Sequence, residues 1–140
     1  MESKVKKRAF RVDSGTYPMG LFVVVGMTPM EIFQYVNRKV KGKLSQIDMT
    51  YLTLKDTTRA MYVCSGNISI IILRDFEVSP DSIACLSHEI FHCVYGILTH
   101  VAGIYLTDQS EEAFAYEIQY LTGRVLEKLL MTLDKKRRKR

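Results

Sequence analysis

The sequence predicts an α+β domain: a small, mostly antiparallel sheet packed against one N-terminal helix and two long C-terminal helices. Three observations carry this. Short β-branched runs fall in the first half of the chain, one capped helix interrupts them, and two long helical periods fill the second half. The composition agrees: 140 residues, 47% apolar and 25% charged, with three prolines and eight glycines, describe one folded unit.

Leu21 to Val25, bounded by Gly20 and Gly26, reads as a buried strand that begins somewhat earlier. Thr28, Pro29 and Glu31 then supply an N-cap, a first-turn proline and a capping-box acid. Ile32, Phe33, Tyr35, Val36 and Val40 continue at helical spacing to about Lys41, and Gly42 stops the helix. Met49 to Leu54, Ala60 to Cys64 and Ile68 to Leu73 alternate and are β-rich, with Ser65, Gly66 and Asn67 as a turn, so they predict an antiparallel meander. Ser79, Pro80 and Asp81 open a second helix that runs to about His100, before Gly103. A last helix opens near Asp108 to Ser110, with Glu111 and Glu112 in its first turn, and runs through Leu133.

These elements place one domain over residues 10–133, between a basic N-terminal tail at 1–9 and a basic C-terminal tail at 134–140. Net charge is +5, yet Lys135 to Arg140 alone supply six positive charges, so basicity belongs to the tail. That tail reads as a solvated end, or as a contact for nucleic acid or an acidic surface. No apolar run approaches the roughly 20 residues that span a bilayer, so no membrane association is expected. Met1 to Arg11 lacks the apolar core of a secretory signal, which predicts a cytoplasmic protein. Cys64, Cys85 and Cys93 are odd in number and unpaired in spacing, as expected of reduced thiols.

Chemistry concentrates in His88-Glu89-Ile90-Phe91-His92, inside the second helix. Residues four apart lie one above the other on a helix, so both imidazoles can address one ion while Glu89 projects beside them. At about 100° per residue, with His88 at 0°, His92 falls near 40° and Glu89 near 100°, whereas Leu86, Ile90, Ile97, Ile83, Val101 and Val94 occupy roughly 160° to 240°. The histidines therefore face away from the main apolar stripe. Zinc suits neutral imidazole nitrogens, and a carboxylate beside it can take a proton from bound water.

A catalytic zinc usually takes three protein ligands. His100 lies about 12 Å further along a continuous helix, too far to be the third, and Leu98 stands where a longer H-E-x-x-H-x-x-G-x-x-H pattern needs histidine. Cys85 is a possible ligand or a packed thiol, and Cys93 reads as core edge. Glu112, on the polar side of the last helix, is the leading candidate, with Glu111 and Asp108 behind it. Tyr116, one turn on, reads either as a donor to a developing oxyanion or as a packed aromatic.

The motif, followed about twenty residues later by Glu111-Glu112-Ala113-Phe114-Ala115-Tyr116, resembles a small zincin-type metallopeptidase of the Glu-liganded kind. It is similar to small phage-encoded H-E-x-x-H proteins and to the ImmA/IrrE-type peptidases, over Ser79 to about Leu126. The resemblance implies a minimal zincin fold, His88, His92 and Glu112 as zinc ligands, Glu89 as general base, and a protein or peptide substrate held along an edge strand. It also implies a host-cytoplasmic setting for a phage-encoded protein. The chain departs from the ImmA/IrrE-type pattern, which usually ends in Met-Pro, by continuing as Gln119-Tyr120-Leu121-Thr122-Gly123. Two other readings stand beside a zinc peptidase: a zinc-stabilised regulatory protein without catalysis, and a nucleic-acid binder in which the motif is accidental.

Overall fold

Six consecutive apolar or small residues with no polar interruption can be accommodated only in a strand covered on both faces. Gly20–Val25 is such a strand, buried at every position. The computed structural model describes residues 5–42, 44 and 49–137, with side chains as far as Met131. Its strands are β1 (Arg8–Asp13), β2 (Gly20–Val25), β3 (Ala60–Ser65) and β4 (Ile68–Leu73), and its helices are α1 (Pro29–Lys39), α2 (Pro80–Gly96) and α3 (Glu111–Arg137). The sheet runs β1-β2-β4-β3, so the two most apolar strands lie in the middle.

The expected α+β architecture is present, as a four-stranded mixed sheet. β1 pairs antiparallel with β2, and β3 antiparallel with β4, but the central β2 and β4 are parallel, with Val23 opposite Ile71. A simple meander is therefore incorrect. The chain leaves β2 through α1, reaches the far edge as β3, and turns back into β4 beside β2. Met49 to Leu54, expected to begin the meander, forms no strand: Met49–Leu52 is a 3-10 turn whose Leu52 is buried under α1's layer. β1 starts at Arg8, so Arg8 and Ala9, assigned by sequence to the tail, belong to the sheet. At the other end α3 continues past Leu133 to Arg137.

Alternation on the central strands divides the core into two layers. Phe22, Val24, Ile70 and Ile72 point to one side and pack with Ile32 and Val36 of α1. Leu21, Val23, Val25, Ile71 and Leu73 point to the other and meet Leu86, Ile90, Val94 of α2 and Phe114, Leu121, Val125 of α3. Burying each such side chain contributes about 1.5–3 kcal/mol. The sheet is thus sandwiched, and α2 and α3 lie together on one face. No helix among the described residues is long and apolar enough to cross a membrane.

Local signals fix the helix ends. Thr28 accepts from the Glu31 backbone and Glu31 from the Thr28 backbone, closing a capping box on α1. Ser79 Oγ accepts from Ser82 N at 3.2 Å and Pro80 stands in the first turn of α2. After Gly96 the chain widens into a π-turn, Ile97–Val101, and Gly103, at φ +68°, lets it reverse toward α3.

Candidate metal centre

α2 is held against the sheet on the side of β3. Gly96 marks a close approach, because a Cβ there would stand 2.8 Å from the Tyr62 hydroxyl. That hydroxyl lies 3.1 Å from Ser69 Oγ, tying β3 to β4 under the helix. Burial lifts the Tyr62 phenol above its ordinary range, and it pushes the Cys93 thiol up to about 12. Cys93 is fully buried, so it is a packed thiol and not a ligand.

On this anchored helix His88 and His92 are exposed, as the helical wheel predicts. Their Nε2 atoms are 3.1 Å apart, with ring centroids at 4.8 Å and planes at 72°. With zinc–nitrogen bonds of about 2.05 Å, that separation corresponds to a nitrogen–zinc–nitrogen angle of about 98°, close to tetrahedral. The same spacing suits a hydrogen bond between the two rings. Glu89 is 8% exposed and makes no hydrogen bond or ion pair with another described residue. The motif therefore sets two accessible imidazoles beside an unengaged, nearly buried carboxylate.

The other expected site residues are not gathered there. Among the described residues, no three His, Cys, Asp or Glu side chains stand close enough to hold one ion, so Glu112 does not complete a set with His88 and His92. The same holds for Glu111, Asp108 and Cys85. For Glu112 the rotation of α3 accounts for this. Phe114 packs toward Tyr95 of α2, with ring centroids 6.3 Å apart. Glu112, two residues earlier, lies about 200° around the helix from Phe114 and is exposed on the far side. Glu111, one turn before Phe114, shares its flank. Cys85 sits half-buried in a crevice with Arg59, Asp75 and Ser82, and His100 is exposed in the π-turn.

Tyr116 is also elsewhere. It is 67% exposed and lines a cleft of about 630 Å³ with Thr16, Tyr17, Glu117 and Tyr120, none of which belongs to the motif. Glu117 escaped the sequence reading. It is 5% exposed, and its Oε1 accepts from Ser14 Oγ at 2.7 Å. Burial raises its pKa, and the Ser14 hydrogen bond partly offsets that. The available signal was its place between Phe114 and Leu121, at the spacing of a core stripe.

No protein-family model, curated protein or solved structure gives a significant match to the chain. The site therefore stands on its own geometry. That geometry fits two of the three protein positions of a catalytic zinc, together with the carboxylate such a site needs.

Proposed function

We propose that this chain is a zinc-dependent hydrolase acting on a peptide bond in a protein or peptide, through His88, Glu89 and His92. The observation that carries the reading is the convergence of two exposed imidazole nitrogens to 3.1 Å beside a nearly buried carboxylate. Bound there, zinc would supply Lewis acidity and a water able to give up its proton near neutral pH. Glu89 would serve as general base, holding a proton on a carboxylate oxygen and passing it to the leaving amine. Its lack of another partner among the described residues leaves it free to act. β3 lies beside α2 at the sheet edge, so its outer backbone groups can align an extended substrate. The sequence-expected third ligand, Glu112, and its neighbour Glu111 both stand too far from His88 and His92 to share an ion with them in this structure, so a third donor on α3 would have to move toward the two histidines.

A second reading follows from the incomplete ligand set: a protein that binds zinc through the two histidines without hydrolysis. Purified protein incubated with zinc and a peptide library separates them. The hydrolase reading expects about one zinc per chain and cleavage products that disappear in Glu89→Gln while zinc is retained. Zinc without cleavage favours the binding reading, and full cleavage by Glu89→Gln overturns the proposed role of Glu89.

A further inference from the structure

The basic segment Lys6 to Arg8 meets the C-terminal half of α3 in the fold. Arg8, at the start of edge strand β1, donates from Nη1 to the Leu129 carbonyl of α3 and from Nη2 to the Phe76 carbonyl, each at 3.1 Å. Its guanidinium also lies over the Phe76 ring, 5.9 Å from the centroid. This clamp joins residues 121 positions apart and sets the N-terminal lysines beside the C-terminal half of α3. Between them opens a cleft of about 450 Å³, lined by Lys6, Lys7, Arg8, Phe10, Lys128 and Met131 and by no acidic residue.

The cations of the cleft are unevenly engaged. Lys7 holds Glu31 at 2.9 Å, whereas Lys6 and Lys128 make no ion pair among the described residues. Lys6, Lys7, Arg8 and Lys128 make the wall of the cleft positive. Such a wall meets a polyanion, and the rest of the surface narrows the choice. Leu121, Val125 and Leu129, the apolar face of α3, are fully buried in the core, so the helix has no continuous face to insert into lipid. Half-buried Phe10 and exposed Met131 instead put apolar surface inside the basic cleft, the combination that suits nucleotides joined by phosphates.

We propose that this cleft binds single-stranded nucleic acid, with Lys6 and Lys128 neutralising phosphates and Phe10 and Met131 offering apolar surface to the bases. The inference does not depend on the metal site. The test is fluorescence anisotropy of the full chain with labelled DNA and RNA strands of about 20 nucleotides, longer than one typical binding site. The corresponding duplex, phosphatidylserine–phosphatidylcholine vesicles and poly-glutamate serve as competitors, and salt is varied from about 50 to 200 mM. Each lost phosphate contact on a single strand lowers the salt slope by about 0.7, so Lys6→Gln with Lys128→Gln should lower it by about 1.4. The affinity lost over that fourfold salt range then shrinks by about sevenfold. Lys55→Gln, away from the cleft, should bind like the parent. No binding at the lowest salt, an unchanged slope in the double variant, or stronger competition by vesicles, poly-glutamate or duplex than by single strands would each overturn the proposal. Matching melting temperatures of parent and variants show that the fold is intact.

Discussion

Removing either imidazole should abolish a stabilisation that zinc confers on the parent protein. A ligand that binds only the folded chain at a hundred times its Kd adds about 2.7 kcal/mol. The unfolding entropy is about 2.1 cal/mol/K per residue, which over 140 residues is about 0.3 kcal/mol/K, so the midpoint should rise by about 9 °C. Both nitrogens contribute because they stand 3.1 Å apart, and His92→Ala leaves a single imidazole with no chelate. Both rings are exposed, so the same variant in EDTA should melt within about 0.5 kcal/mol of the parent. Glu89→Gln should keep the zinc shift, since Glu89 is assigned to proton transfer and not to ligation. Differential scanning fluorimetry across a zinc titration reads all three. A full shift surviving in both His88→Ala and His92→Ala would refute the shared ion. A large loss of stability in EDTA would show instead that the rings serve the apo fold.

Glu111→Ala should weaken zinc binding more than Glu112→Ala, read by competition with a zinc-responsive dye, because Glu111 shares the flank that Phe114 turns toward Tyr95. The raised pKa of Glu117 means that the folded state holds this proton more tightly than the unfolded chain does. Its contribution to stability must therefore fall as pH rises from the ordinary carboxylate pKa through the raised folded value. Melts at acid and neutral pH should show Glu117→Gln matching the parent in acid and exceeding it at neutrality, with the amide oxygen still able to accept from Ser14; equal pH dependence in the two proteins would contradict the assignment. Gly96→Ala gains up to about 1 kcal/mol of helix propensity, but its Cβ would meet the Tyr62 hydroxyl at 2.8 Å and disturb the Tyr62–Ser69 contact. Lost hydrogen bonding and overpacking should leave a net cost of about 1–2 kcal/mol in urea unfolding, and a stabilised variant would show that the contact relaxes freely. Thr28→Ala removes one half of the α1 capping box and should cost about 1 kcal/mol, measured the same way.

What the sequence discloses depends on how far apart the deciding residues lie. Helix starts are local, and Thr28-Pro29-Glu31 and Ser79-Pro80 place α1 and α2 to within a residue because the capping atoms and their targets are three residues apart. β2 and β4 are equally plain, since an uninterrupted apolar run has few other places to go. Their parallel pairing is not written in either strand, because it depends on where α1 and β3 carry the intervening chain. β1 is masked for a different reason: Arg8, Arg11 and Asp13 interleave with Phe10 and Val12, so a half-exposed edge strand looks like part of a charged tail. The same distinction divides the metal centre. Exposure of His88 and His92 follows from a five-residue spacing on one helix and an apolar stripe on the same helix, whereas Glu89, at the border between the two, is nearly buried. The third ligand requires the rotation of one helix against another. Glu112 attracted attention because it stands opposite Phe114 and Leu121 on the wheel, but opposite the core is also opposite α2 once those residues pack. A ligand donated between two helices must sit at the border of the apolar stripe, near enough to the seam to reach across it. By that criterion the search belongs on the Phe114 flank, where Glu111 is the first acid of the helix.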